Sequence, residues 1–230
     1  MEQKQETMKL DVVIAIDATA SMGTEIHSAK KYASYLISQL QDNKDSRMGV
    51  AWYRDVCDRP EWYDFSGFHK TIDKIQPFID KIRASGGGDT PEDVIGAFHE
   101  LTKVDWRDES KKVLVWIADS PPHGKEFNKW YRDDHPDYPN VKGGAIPEKV
   151  FQTMVEKDIF VYGLYVNEGE EDIQFIFDAF KKYKLSCYGS TISSVENWKT
   201  AYLITDRIDD VLSNQKEVDE TEEIKWTIPY

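Results

Sequence analysis

Short apolar runs rich in β-branched residues alternate along most of this chain with longer stretches whose apolar residues recur at helical spacing. This alternation constrains the fold most strongly, because parallel strands need a crossover connection and a helix usually supplies it. Five apolar runs predict parallel strands, at residues 10–16, 48–53, 113–118, 159–166 and 185–188. A sixth stretch, residues 61–68, lies between turn-rich segments and predicts a short antiparallel strand at the sheet edge.

The helical segments complete a predicted α/β architecture. Helical periodicity is clearest at residues 26–40, 72–82, 94–101, 147–155, 173–183 and 195–212. We therefore expect a Rossmann-like, doubly wound fold: a mostly parallel six-stranded sheet with helices on both faces. We divide the chain into a polar N-terminal extension (1–8), one domain (9–214) and an acidic C-terminal tail or linker (215–230).

The charge balance limits the partners that this chain is expected to bind. The 42 acidic side chains exceed the 29 basic ones, giving a formal net charge of -13, and such a field repels phosphate backbones. We therefore expect no nucleic-acid partner. The polar start has no apolar signal stretch, and no later run approaches the ~20 apolar residues of a membrane span. These features predict a cytoplasmic protein without a membrane span.

Oxygen-bearing side chains follow two of the predicted strands. Ligands of an open parallel sheet bind beyond the carboxyl ends of its strands, so these loops carry the candidate site. After the first strand, Asp17, Thr19 and Ser21 stand on alternate residues, so their three oxygens can face one point. Asp119 follows another apolar strand and precedes a serine and two prolines.

A third loop, residues 86–93, contributes a further hydroxyl. Its three glycines permit a tight backbone approach, and Thr90 before Pro91 is predicted to open a helix. Taken singly, Thr90 has an ordinary explanation as a helix cap and Asp119 as a turn residue. Because all three loops converge on the ligand-binding edge of this topology, their conjunction predicts one shared site.

These loops together resemble the metal-ion-dependent adhesion site of von Willebrand factor type A (vWA) domains, and the resemblance covers about residues 10–214. The usual first motif is Asp-x-Ser-x-Ser, and here Thr19 replaces the middle serine while retaining its hydroxyl. The stretches 48–55, 86–93 and 117–124 are similar to the branch of the family found beside alpha-kinase domains. The chain has no kinase-length segment beyond this domain, so we expect any link to an alpha-kinase or signalling complex in trans.

The resemblance implies a metal-dependent protein-interaction domain without catalysis. It assigns Thr19 and Ser21 as hydroxyl ligands, with Asp17, Thr90 and Asp119 bound directly or through water. Carboxylate and hydroxyl oxygens independently favour a hard ion such as Mg²⁺, for which Mn²⁺ or Ca²⁺ could substitute. Mg²⁺ usually keeps some water ligands that can be exchanged, so we expect a carboxylate of a partner protein to replace one of them.

Other polar residues receive no ligand role at this stage. His123, Asp133, Asp134, His135 and Asp137 have the composition of a second metal site, but also that of a solvated loop, which we prefer. The segment 125–144 is expected to form a rim that selects the partner. The loop 54–58 either joins that rim or forms internal salt bridges.

Two alternatives remain open from the sequence. A haloacid-dehalogenase-like Mg²⁺-dependent phosphatase would use Asp17 as its nucleophile, and residues 88–93 resemble its late acidic motif. However, Thr19 occupies the position of that family's general acid, and Gly88 follows a helical pattern where the family has a strand. The third interpretation is a scaffold with a vestigial metal site, which retention of all five oxygen-bearing positions disfavours.

Overall fold

The computed structural model describes residues 9–41, 45–137, 145–166 and 170–192. The strands in these ranges are β1 (Leu10–Asp17), β2 (Ser46–Tyr53), β3 (Tyr63–Phe65), β4 (Lys111–Ala118), β5 (Ile159–Val166) and β6 (Cys187–Ile192). The helices are α1 (Ile26–Leu40), α2 (Ile72–Lys81), α3 (Val94–Thr102), α4 (Pro147–Glu156) and α5 (Glu170–Lys182). The predicted helix 195–212, the N-terminal extension and the acidic tail lie outside the described residues, so the domain boundaries stay a prediction.

The strands form a single sheet in the order β3-β2-β1-β4-β5-β6. All neighbours are parallel except β3, which runs antiparallel to β2 at the edge. β1 lies between β2 and β4, and Ile16 pairs with Trp52 on one side and Ile117 on the other. The chain therefore reverses its direction of progress across the sheet at β1, which places a ligand-binding crevice at the carboxyl end of this strand. The predicted fold class is confirmed.

Both faces of the sheet are covered, and β1 shows this most clearly. Its side chains alternate between two apolar clusters, with Val13 on one side and Val12 and Ile14 on the other. Helices α3, α4 and α5 contribute to the first cluster, and α1 and α2 contribute to the second. Because successive strand residues point to opposite faces, a strand buried on both sides must be apolar almost throughout. The buried polar exceptions in β1 are Asp11 and Asp17, at its two ends.

The largest difference from the predicted strands is at the edge strand β6. The sequence predicts residues 185–188, whereas β6 runs from Cys187 to Ile192 and includes Ser190 and Thr191. An edge strand tolerates polar side chains, so its apolar pattern is weaker than that of the central strands. Within the described ranges, every helix is too short or too polar to traverse a bilayer.

Candidate metal centre

The carboxyl end of β1 delivers the first cluster of polar groups. Asp17 is fully buried, and its Oδ1 accepts hydrogen bonds from the backbone N–H of Thr19 (2.9 Å) and from Thr19 Oγ1 (2.7 Å). Thr19 Oγ1 also lies 3.1 Å from Ser21 Oγ. The alternate spacing of these residues therefore brings their oxygens to one point, as the sequence predicts.

The loop that follows β4, the strand next to β1, adds Asp119 and Ser120 to the same cluster. Ser21 Oγ donates to Asp119 Oδ1 at 3.0 Å, and Ser120 Oγ donates to the same oxygen at 3.1 Å. Adjacent oxygens around an octahedral Mg²⁺, with bonds of about 2.1 Å, lie about 3.0 Å apart. The separations of Ser21 Oγ from Thr19 Oγ1 and from Asp119 Oδ1 match this spacing.

The glycine-rich loop lies against the first loop and fixes its shape. The backbone N–H of Ala20 donates to the carbonyl of Gly86 at 3.2 Å. Gly86 and Gly87 adopt φ values of +81° and +84°, which favour glycine, and a Cβ on Gly86 would lie 2.3 Å from the Asp58 side chain. A Cβ on Gly87 would approach that of Thr19 to 3.5 Å. The two loops are therefore in direct contact, and Gly86 leaves the space that the Asp58 side chain occupies.

Thr90 is the predicted ligand that the structure does not join to the others. It is exposed, and it forms no hydrogen bond with the other four residues in the part of the chain described. The prediction that Thr90 opens a helix is wrong, because α3 begins at Val94 and Asp93 is its N-cap. Asp93 Oδ1 accepts from the backbone N–H of Gly96 at 3.0 Å, which satisfies one of the free donors of the first turn. The role of Thr90 as a ligand stays a prediction.

Glu92 is a buried acidic residue that sequence reasoning missed. Its backbone N–H donates to the carbonyl of Pro121 at 2.9 Å, which ties the glycine-rich loop to the loop after β4. Its side chain is only 2% exposed, and Glu92 Oε2 has no hydrogen-bond partner among the described residues. Asp17 Oδ2 is unpartnered and buried in the same way. In the sequence, Glu92 was distinguished only by its place in this loop.

The surroundings of these carboxyl groups disfavour their ionised forms. Burial and the nearby Asp119 raise the pKa of Asp17 to about 7. Burial, with the charges of Asp17 and Asp55, raises the pKa of Glu92 to about 10, and burial also raises the pKa of Asp119. Buried carboxylates are unfavourable unless a cation or a proton neutralises them. The unpartnered oxygens, the all-oxygen donor set and the octahedral spacing therefore fit a divalent ion such as Mg²⁺.

A model of the von Willebrand factor type A domain family matches residues 11–174. The chain belongs to this family. The matched range begins at the second residue of β1 and extends into α5, so it includes every loop of the candidate metal centre. Domains of this family generally mediate protein interaction or adhesion.

Two curated relatives share this vWA region over most of the chain. An ariadne-like RING finger protein of Acanthamoeba polyphaga mimivirus is 30% identical over 201 residues, which are 84% of this chain and 18% of the relative. The alpha-protein kinase vwkA of Dictyostelium discoideum is 27% identical over 218 residues, covering 87% of this chain and 34% of the kinase. The predicted resemblance to alpha-kinase-associated vWA domains is confirmed. The chain spans well under half the length of either relative.

Solved structures share the vWA fold at low sequence identity. The pilus adhesin SpaC from Lactobacillus rhamnosus GG, in its open conformation, has a TM-score of 0.63 at 12% identity, over 92% of this chain and 31% of the adhesin. The vWF domain of the type V pili tip protein Mfa5 from Porphyromonas gingivalis has a TM-score of 0.62 at 12% identity, over 94% of this chain and 99% of that domain. These comparisons establish a common fold.

Beside the loops of this candidate centre lies a buried histidine that the sequence assigned to a solvated loop. His123 is 1% exposed, its Nε2 lies 2.6 Å from Asp55 Oδ1, and its Nδ1 lies 2.8 Å from Asp133 Oδ1. Burial alone would lower the pKa of His123, but the hydrogen bonds and charges of the two carboxylates raise it above its usual value. The solvated-loop interpretation is therefore wrong for His123 and Asp133, because both side chains are buried.

The predicted rim of the vWA site is described up to Asp137, and it is attached to the domain at several points. Phe127 is buried in the core, and Tyr131 Oη donates to Asp172 of α5 at 2.9 Å. Trp130 and Tyr131 are each 41% exposed. The segment thus combines anchored and exposed aromatic residues, while its role in selecting a partner stays a prediction.

Proposed function

We propose that this vWA domain is a Mg²⁺-dependent protein-interaction domain that binds an acidic residue of a partner through a metal-ion-dependent adhesion site. Mn²⁺ or Ca²⁺ would substitute for Mg²⁺. The observation that carries the proposal is the hydrogen-bonded cluster of Asp17, Thr19, Ser21 and Asp119, in which the buried Oδ2 of Asp17 has no partner among the described residues. A divalent ion would neutralise this carboxylate and its neighbour Asp119.

The side chains have distinct roles in this proposal. Thr19 and Ser21 hold the ion through their hydroxyl oxygens, while Asp17, Thr90 and Asp119 hold it directly or through water. Thr19 also holds Asp17 in place, because its hydroxyl and its backbone N–H both donate to Asp17 Oδ1. These ligands leave room in a six-coordinate shell for an oxygen from outside the chain.

The overall charge of the chain explains why an ion is needed to bind an acidic partner. A chain with a formal net charge of -13 repels carboxylates at long range. The bound ion supplies a local positive charge and an open coordination position, and a partner's Asp or Glu side chain can fill that position. Recognition of this kind involves no bond cleavage, so we propose that the domain is not an enzyme.

The phosphatase alternative is less well supported by the contacts of Thr19. A phosphatase of the haloacid-dehalogenase type needs a general acid two residues after its nucleophile, and a threonine hydroxyl cannot fill that role near neutral pH. Here the Thr19 hydroxyl donates to Asp17 itself. A vestigial site would have no reason to keep a buried Asp17 oxygen that has no partner in the described part of the chain.

We further propose a partner in an alpha-kinase or other signalling complex, bound in trans in the cytoplasm. The similarity to a Dictyostelium alpha-protein kinase supports the link to alpha-kinases. The test is affinity capture on the immobilised full chain from native lysate, with Mg²⁺ or with EDTA. The matched control for Asp17→Asn is Asp108→Asn. Asp108 is an exposed aspartate shortly before β4, at the amino ends of the strands, whereas Asp17 lies at the carboxyl end of β1. We expect one set of proteins to be retained by the wild type and by Asp108→Asn in Mg²⁺, and lost with EDTA or Asp17→Asn.

Competition separates carboxylate recognition from other metal-dependent contacts. Excess glutarate, which presents free carboxylates, should release the captured proteins, whereas the neutral glutaramide should not. Capture that is identical in Mg²⁺ and EDTA, or equal for the wild type and Asp17→Asn, would contradict the proposed function.

A further inference from the structure

A second group of metal-ligating side chains lies outside the cluster assigned to Mg²⁺. One ring nitrogen of His123, one ring nitrogen of His135 and one carboxylate oxygen of Asp55 all lie within 4.8 Å of one another. The two imidazole rings meet edge to face, with centroids 4.9 Å apart and an interplanar angle of 88°. Ligand atoms around a tetrahedral Zn²⁺, with bonds of about 2.0–2.2 Å, lie roughly 3.3 Å apart. Small side-chain movements would therefore close these three groups around one ion.

The surroundings of His123 are those of a metal-binding histidine. Such a histidine commonly donates its second ring N–H to a carboxylate, which fixes the orientation of the ring. Asp133 occupies this position, 2.8 Å from His123 Nδ1. Asp133 also accepts from the backbone N–H groups of Gly124 and His135, each at 2.8 Å, so the carboxylate is itself held in place. This arrangement leaves His123 Nε2 directed at Asp55.

We propose that His123, His135 and Asp55 form a Zn²⁺ site, separate from the cluster assigned to Mg²⁺. Two imidazole nitrogens and one carboxylate oxygen are a donor set that zinc binds and that Mg²⁺ does not favour. Without the ion, a proton bridges His123 Nε2 and Asp55 Oδ1 at 2.6 Å. Zn²⁺ replaces that proton, which passes to solvent, and a water molecule completes the four-coordinate shell.

A neighbouring group, Asp89 with His123 and Asp133, also has ligand atoms within 4.8 Å of one another. It is the poorer zinc site because it offers only one imidazole. Asp133 contacts His123 Nδ1, and Asp89 Oδ2 accepts from the backbone N–H of Asp134 at 2.6 Å. These carboxylates are better suited to orienting the ring of His123 than to binding the ion.

The three proposed ligands come from separate parts of the chain. Asp55 follows β2, His123 follows β4, and His135 lies in the predicted rim. His123 and Asp55 are buried, whereas His135 is partly exposed and can open to admit the ion. Bound Zn²⁺ would therefore fasten the rim to the loops that carry the Mg²⁺ cluster.

The test is calorimetric titration of Zn²⁺ into the full chain in excess Mg²⁺, with bound metal counted by elemental analysis. We expect one Zn²⁺ per chain. His135→Gln should weaken binding by more than about 100-fold, and Asp133→Asn by about 10-fold to 100-fold, the effect typical of a lost orienting carboxylate. His27→Asn changes an exposed histidine of α1 and should leave zinc binding unchanged.

Asp17→Asn separates the two metal sites, since it should abolish Mg²⁺ binding and leave zinc binding intact. Far-ultraviolet circular dichroism confirms that each variant is folded. The zinc proposal is overturned if the folded wild type binds no Zn²⁺ saturably. It is equally overturned if His135→Gln binds Zn²⁺ like the wild type, or if Asp17→Asn removes it, which would place zinc in the Mg²⁺ cluster. Mg²⁺ binding measured in His135→Gln reports on the proposed function independently.

Discussion

Asp17 shows at the scale of one residue how a fold can hold a charged group that its interior disfavours. It ends an otherwise apolar part of β1, it is fully buried, and only one of its two carboxylate oxygens has hydrogen-bond partners among the described residues. The apolar strand and the alternate spacing made its position and neighbours predictable. The contact between the loop after β1 and the glycine-rich loop was not predictable, because it joins segments that are distant in sequence.

The pKa of Asp17 leads to a prediction about stability. A carboxyl group whose folded-state pKa is raised destabilises the fold as pH rises above its unfolded value of about 4, and the penalty is complete above about 7. In EDTA at pH 8, Asp17→Asn should therefore raise the free energy of unfolding, by on the order of 2 to 4 kcal/mol. Urea denaturation measures this change. At pH 4 the difference should nearly vanish, and a destabilised Asp17→Asn at pH 8 would contradict the assignment.

Thr19 gives a second prediction at this scale. Thr19→Val keeps the shape of the side chain but removes the hydroxyl that contacts both Asp17 and Ser21. We expect Mg²⁺ affinity to fall by about tenfold or more, equivalent to about 1.4 kcal/mol. Thr19→Ser restores the hydroxyl and should bind within about threefold of the wild type. Equal affinities for the Val and Ser variants, measured by calorimetry, would show that the hydroxyl is not a ligand.

At the scale of elements, the sequence predicted strands better than loops. The central strands are buried on both faces and are therefore almost wholly apolar, so their positions can be predicted from the sequence. The predicted helix 94–101 agrees with α3, but the prediction that Thr90 opens it was wrong, because Thr90 and Asp93 are both good caps and local sequence does not decide between them. His123 was assigned to a solvated loop because its partners, Asp55 and Asp133, come from different segments.

The rim offers a prediction about pH. In metal-free protein His123 has a raised pKa, so its ion pairs with Asp55 and Asp133 stabilise the fold fully below about pH 6.5. That stabilisation is lost as the pH rises through the folded-state pKa. Trypsin cleavage at Lys125 and Lys129 should therefore accelerate with pH in the wild type more than in His123→Gln, in which cleavage is already fast.

Mass spectrometry of the fragments measures the rim cleavage, and cleavage at sites outside the rim corrects for the pH dependence of trypsin. His135 and Asp89 also face His123, so His135→Gln and Asp89→Asn are included to assign the effect. If the corrected rates of the wild type and His123→Gln follow the same pH curve, His123 does not hold the rim.

At the scale of the whole molecule, the reversal of strand order at β1 places the candidate site. The alternation of strands and helices predicted a doubly wound, mostly parallel sheet but not the order of its strands, and that order brings the loops after β1 and β4 together at the carboxyl ends of the strands. The contribution of Glu92 was not readable, because its burial depends on the packing of the loops against each other. The predicted helix 195–212 lies outside the described residues, so it stays a prediction.

The phosphatase alternative gives a further prediction for the whole protein. The full chain should not hydrolyse an aryl phosphate above the Asp17→Asn background at saturating Mg²⁺, because Thr19 cannot act as the general acid. A colorimetric assay of the released phenolate measures this. Turnover that Asp17→Asn abolishes would instead favour the phosphatase interpretation.

Calorimetric titration of Mg²⁺ into the full chain at pH 8, without zinc, tests the metal-dependent account most directly. We expect one saturable site with a dissociation constant of about 1 mM or below, lost in Asp17→Asn and unchanged in the exposed control Asp108→Asn. At this pH Asp17 is largely ionised in the metal-free protein, so a proton competes little with the ion. A folded wild-type chain that shows no saturable Mg²⁺ binding at millimolar concentrations would contradict a metal-dependent site.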